Sequence, residues 1–98
     1  MYLNAASDGF VALNREMKVV DVSSGFASML GYSISEIRDM HVWDWDAQLS
    51  REALLALGRS PEFGKIPLFK TRMRRKDSTE LDVEIRTERT RWRGEDLA

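Results

Sequence analysis

Phe69-Lys70-Thr71-Arg72-Met73-Arg74-Arg75-Lys76-Asp77-Ser78-Thr79-Glu80-Leu81-Asp82-Val83-Glu84-Ile85 alternates on both sides of a polar centre. Phe69, Thr71 and Met73 interleave with Lys70, Arg72 and Arg74, while Leu81, Val83 and Ile85 interleave with Glu80, Asp82 and Glu84. A period of two marks a half-buried strand. The segment Lys76-Asp77-Ser78-Thr79 supplies the turn that joins two of them. Their apolar faces coincide in one parity only, because a one-residue slip inverts every side chain. The same parity lays a basic row beside an acidic row on the solvent face. Each such cross-strand pair is worth roughly 0.2–1 kcal/mol, so these charges specify register more than they add stability.

Upstream of this hairpin the period changes. Ser50 reads as a helix cap, with Leu49 and Leu54 placed to staple across it. Leu54 and Leu57 with Ala53 form an apolar stripe, and Gly58 is a plausible stop. Residues 59–65 carry Pro61 and Gly64 and read as loop. His41-Val42-Trp43-Asp44-Trp45-Asp46 has no clean period and reads as an irregular connection tucking aromatics under the domain. Ser33-Ile34-Ser35-Glu36 is a capping box, and Tyr32 can pack on Ile37. Before it, Ser23-Ser24 caps a helix bearing Phe26, Met29 and Leu30, which Gly31 ends in the left-handed conformation. Lys18-Val19-Val20-Asp21-Val22 is β-branched and reads as a strand. Phe10-Val11-Ala12-Leu13 suits a strand buried on both faces, and residues 14–17 form the hairpin connection between the two. Phe10, Ala12, Phe26, Met29, Leu30, Ile37, Leu54, Leu57, Met73, Val83 and Ile85 are expected to meet between sheet and helices, as a filled core in the plainer reading or around a small pocket for an apolar or amphipathic guest in the functional one.

Composition bounds the chemistry. The chain has 98 residues, enough for one domain, with 43% hydrophobic and 32% charged residues. Fifteen Lys and Arg against 16 Asp and Glu leave a net charge of −1, so no overall field favours nucleic acid or an anionic membrane. No uncharged run approaches the roughly 20 residues of a membrane-spanning helix. There is no cysteine and one histidine, His41. Disulfides, thiolate nucleophiles, Cys-ligated metals and cysteinyl chromophore adducts are therefore excluded. No nucleophile–base pair is visible. Asp44 and Asp46 read better as helix caps or solvated groups than as paired acid and base. The basic run Arg72, Arg74, Arg75 and Lys76 faces Glu80, Asp82, Glu84 and Glu88, and reads as a solvated hairpin face rather than a nucleic-acid site.

Several stretches together resemble a known family. Asp8-Gly9-Phe10 opens the first strand. Val19-Val20-Asp21-Val22-Ser23 precedes Phe26-Ala27-Ser28-Met29-Leu30-Gly31-Tyr32-Ser33 and Ser35-Glu36-Ile37. Thr71-Arg72-Met73-Arg74-Arg75-Lys76-Asp77-Ser78 follows. This combination resembles the PAS domain, a sensory module of bacterial signalling proteins, over nearly the whole of residues 1–98 as a single domain. The stretch 41–47 resembles versions found in sensor histidine kinases and diguanylate cyclases.

The resemblance implies an α+β fold: an antiparallel sheet in the order 2-1-5-4-3, with short helices packed on one face around a cavity. The fifth strand would begin within residues 93–98, so it is expected to be truncated or missing. Residues 1–7 would be the stub of a flanking helix that commonly makes dimer contacts. Ser78 stands where the family's hairpin has glycine, which predicts strain at a left-handed position.

The implied function is a non-enzymatic input module. It would bind a small ligand or pair subunits, and relay the change to an output domain in the same chain, a kinase or a diguanylate cyclase. The alternatives are a ligand-free dimerisation scaffold or a non-covalent flavin-binding redox sensor. The candidate cavity residues are Phe26, Met29, Trp43, Trp45, Leu54 and Met73, with no catalytic or metal-binding residue. In haem-binding members the ligand histidine lies on the long helix, about residues 50–58 here, which has none, so haem is not expected. The thiol of a flavin–cysteine adduct would fall near Val42, which excludes that chemistry. Non-covalent flavin stacked on Trp43 or Trp45 stays open beside the plainer reading of both as core. A cytoplasmic homodimer without nucleic-acid or membrane contact is expected.

Overall fold

The computed structural model describes residues 9–65 and 69–98. The flanking stub expected over residues 1–7 lies outside the described residues. Among the described residues, six short strands form three antiparallel pairs: β1 (Val11–Leu13) with β2 (Val19–Val22), β3 (Phe69–Arg74) with β4 (Glu80–Ile85), and β5 (Thr90–Trp92) with β6 (Glu95–Leu97). Between β2 and β3 the described residues form three α-helices: α1 (Ser24–Leu30), α2 (Ile34–Arg38) and α3 (Arg51–Arg59). A 3-10 turn, Val42–Asp44, separates α2 from α3.

The β3–β4 hairpin has the register its alternation predicts. Thr71 faces Val83 and Met73 faces Leu81, while Arg72 faces Asp82 and Arg74 faces Glu80. The first set is partly or fully buried and the second exposed. Two hydrogen bonds, Leu13 N to Ala98 O at 2.6 Å and Ala98 N to Leu13 O at 2.9 Å, tie β6 beside β1. The last strand, expected to be truncated or missing, is a three-residue strand over Glu95–Leu97. Counting β4 and β5 as one strand interrupted at residues 86–89 gives the expected order 2-1-5-4-3.

Local chemistry sets the helices. Ser23 Oγ accepts from Phe26 N at 3.2 Å, and Gly31 closes α1 at φ +83°. Tyr32 N then reaches back to Ala27 O at 3.0 Å, the pattern that a left-handed cap allows. Ser33 and Glu36 form the reciprocal capping box at 3.1 and 2.8 Å. Ser50 Oγ accepts from Ala53 N at 3.1 Å.

The connection between α2 and α3 crosses from one sheet edge to the other. Val19 N donates to Met40 O at 3.1 Å and Val42 N to Met17 O at 3.0 Å, which covers the outer edge of β2. Ala47 N donates to Arg72 O at 2.9 Å and Arg74 N to Trp45 O at 2.6 Å, which covers the outer edge of β3. Each edge is thereby partly covered by this chain, which shortens the open ladder available for aggregation. Val42 and Trp45, at 7% and 2% exposure, join the core from the same crossing.

Four expectations are corrected. Residues 10–13 are not buried on both faces: Val11, Ala12 and Leu13 are partly buried and Phe10 is exposed, because the helices cover only one side. Phe10 is accordingly not a core residue. Leu49 remains exposed instead of stapling α3, since Asp46 Oδ1 accepts from Leu49 N and turns the segment locally. Gly58 does not stop α3, which runs on through Arg59. It is instead a point of close approach: a Cβ there would collide with the Arg15 carbonyl oxygen and lie 3.2 Å from Met17 Cγ.

Candidate functional site

Four buried side chains from four parts of the chain meet between the helices and the sheet. Phe26 comes from α1, Trp45 from the crossing segment, Leu54 from α3 and Met73 from β3. Met29 and Trp43 pack against this cluster from partly buried positions. All six candidates from the sequence are therefore in or against one apolar cluster.

The two tryptophans play different parts. Trp45 meets Phe26 edge to face, with centroids 5.3 Å apart and planes at 70°, a pairing worth about 0.5–1.5 kcal/mol beyond burial. Trp43 stacks on His41 at 4.3 Å and 11°, and the Arg51 guanidinium lies 4.8 Å from its ring centre. That contact fastens the crossing segment to the first turn of α3. His41 has its ring engaged in the stack, while its backbone N donates to Asp44 Oδ2 at 2.9 Å. Asp46 Oδ1 accepts from Gln48 N and Leu49 N, both at 2.8 Å. Asp44 and Asp46 are accordingly turn-capping groups and do not form an acid–base pair.

The interior is almost wholly apolar. Thr71, on the same face of β3 as Met73, is the buried polar residue among the described residues. Sequence alternation placed it inward but gave no reason to single it out. The walls of the interior are aliphatic and aromatic, with the Thr71 hydroxyl as the polar group among the buried described residues. No set of three or more His, Cys, Asp or Glu converges among the described residues.

Two open concavities lie elsewhere. One of about 270 Å³ is lined by Leu30, Gly31, Arg75, Lys76 and Asp77. The other, about 350 Å³, is lined by Gln48, Lys70, Thr71, Asp82, Val83 and Glu84. Neither includes any of the six candidates.

Charged groups anchor the frame around the interior. Lys76 N donates to Leu30 O at 2.9 Å and Lys76 Nζ to Glu36 Oε2 at 2.8 Å. Arg75 Nε donates to Met29 O at 3.3 Å. The hydrogen bond from Lys76, with backbone donation from Ser33, holds the Glu36 carboxyl below its ordinary value and raises Lys76 in return. Sequence reasoning missed this anchor, and it also missed Arg15, Arg89 and Asp96 near the end of α3.

The family profile for the PAS domain matches residues 2–63. Among solved structures, the PAS domain of an HTR-like protein from Haloarcula marismortui is similar at a TM-score of 0.83 and 23% identity, over 92% of this chain and 74% of that one. A PAS domain from Desulfitobacterium hafniense gives 0.81 and 19%, over 93% and 86%. A PAS domain from a two-component sensor histidine kinase gives 0.75 and 19%, over 91% and 77%. No curated protein matches the chain.

Proposed function

The chain belongs to the PAS domain family of sensory and signalling modules, and from that premise we propose that it is the input module of a larger signalling protein. In this reading a small apolar or amphipathic guest enters between the helices and the sheet, against Phe26, Met29, Trp43, Trp45, Leu54 and Met73. The observation that carries it is the composition of that interior: Met29 and Met73 beside aromatics, with Thr71 as its buried polar residue. Methionine has the side-chain freedom to repack around a guest. The guest shifts the module only by binding two conformers unequally. The change then passes through the sheet to an output domain such as a kinase or a diguanylate cyclase, and the module works as a cytoplasmic homodimer. Trp92 at 52% exposure and Val20 at 38% leave apolar surface on the strands for such pairing.

A second reading, a scaffold that pairs subunits without a guest, is favoured by the Phe26–Trp45 contact, which already occupies the interior. Mass spectrometry of material released from the denatured protein separates the two. A stoichiometric apolar compound supports the first, and its absence together with concentration-dependent light scattering supports the second. An absorption band between roughly 300 and 600 nm would instead assign a flavin or haem.

Among the described residues no helix is long and apolar enough to cross a membrane.

A further inference from the structure

We propose that Arg15 is the positioning residue that couples α3, the helix walling the interior, to the strand β6; the proposal rests on reading that interior as the input site. Arg15 lies in the turn between β1 and β2, and its guanidinium binds in two directions at once. Nη1 donates to Gly58 O at 3.0 Å and to Ser60 O at 3.1 Å, meeting carbonyls at the end of α3. Nε and Nη2 donate to Asp96 Oδ2 of β6 at 3.2 and 2.9 Å. The guanidinium also sits 4.9 Å from the centre of the buried Phe63 ring.

The backbone reinforces this arrangement. Gly58 approaches the Arg15 carbonyl too closely for any Cβ, so α3 and the turn cannot slide past one another without disturbing that contact. Two residues before Arg15, Leu13 exchanges both backbone hydrogen bonds with Ala98. A displacement of α3 that moves the Gly58 and Ser60 carbonyls must therefore move the guanidinium, and with it Asp96 and the β1–β6 pairing. The planar fork is needed because three nitrogens act in fixed directions. The Arg15 and Asp96 side chains are 32% and 22% exposed, so the link is partly shielded from solvent.

Arg89 provides the internal control. Its Nε donates to Phe63 O at 2.7 Å and its Nη2 to Pro61 O at 2.6 Å. It grips the segment after α3 and, among the described residues, reaches Asp96 of β6 through its charge alone, without a hydrogen bond.

The test is amide hydrogen exchange at Leu13 and Ala98 in the intact protein, normalised to the amide of Ala27 in α1, with no guest added. Leu57→Ala, which loosens α3 against the core, should raise exchange at both amides by about 2- to 30-fold, the range of energetic coupling along such networks. In an Arg15→Lys background, which keeps the charge and loses the fork, Leu57→Ala should add nothing further. In an Arg89→Gln background its effect should persist. The proposal is overturned if Leu57→Ala acts equally with Arg15→Lys present, or leaves the two amides unchanged in the native background. Because no guest is involved, either result leaves the test of the input site independent.

Discussion

Ser78 sits at φ +75°, in the left-handed region, at the tip of the β3–β4 hairpin. Ser78 N donates to Arg75 O at 2.9 Å and Arg75 N to Thr79 O at 2.7 Å, a tight turn closed by one left-handed residue. Asp77 Oδ1 supports it by accepting from Thr79 N and Thr79 Oγ1. The left-handed position foreseen where the family has glycine is thus occupied by serine. Ser78→Gly should stabilise the domain by about 0.5–1 kcal/mol, seen as a rise in Tm of about 2–8 °C by scanning calorimetry. No change would mean the Asp77–Thr79 bonds already absorb the strain. Gly58 behaves oppositely. Gly58→Ala should cost about 1–3 kcal/mol in urea unfolding, since backbone oxygen cannot give way as a flexible side chain can. Its role was not legible, because a glycine near the end of an apolar stripe looks the same as a helix stop. Only the fold brings Arg15 beside it.

The hairpin and the helix caps were legible because their causes lie within a few residues. Alternation fixes the strands, and Ser23, Ser33 and Ser50 each cap within three positions. Met17 and Phe63 were not legible, although both are buried. Phe63 sits in a segment with Pro61 and Gly64, and its burial depends on Arg15 and Arg89 gripping the surrounding carbonyls from far along the chain. Leu30-Gly31-Tyr32-Ser33 and Arg74-Arg75-Lys76-Asp77 lie in two of the stretches that carry the family resemblance, and in the fold they touch: Lys76 bonds both Leu30 O and Glu36.

This junction has a pH signature. Glu36 is depressed on folding, chiefly by the Lys76 hydrogen bond, so its contribution is present above the ordinary glutamate range and fades as pH falls through the lower folded value. Lys76 is raised by the same partner, so its contribution is present below the ordinary lysine range and fades as pH rises through the higher folded value. The protection of the Lys76 amide, its exchange referred to the intrinsic rate at each pH, should fall at both limits, and Glu36→Gln should abolish both falls. An unchanged profile in that variant would refute the anchor. The contribution is small, since both groups are exposed.

At the scale of the molecule, one crossing segment does two jobs. Residues 40–47 cover part of the outer edges of β2 and β3 and deliver Val42 and Trp45 to the core. No periodicity announced this, because the segment follows edge geometry rather than a helix or strand repeat. What the segment encloses is a small interior closed by Phe26 against Trp45 and bordered by Met29 and Met73. Trp45→Ala should cost about 3–5 kcal/mol in urea unfolding, and a loss below 1 kcal/mol would show that the pairing does not close the core.

The account stands on that interior admitting a guest. Xenon enters apolar voids without needing polar partners, so methyl NMR of protein labelled at its methionines, under xenon pressure, reads the interior directly. Saturable shifts at Met29 and Met73, with Met40 moving less, are the predicted result. Unmoved Met29 and Met73 methyls, or equal shifts at all three, would contradict it.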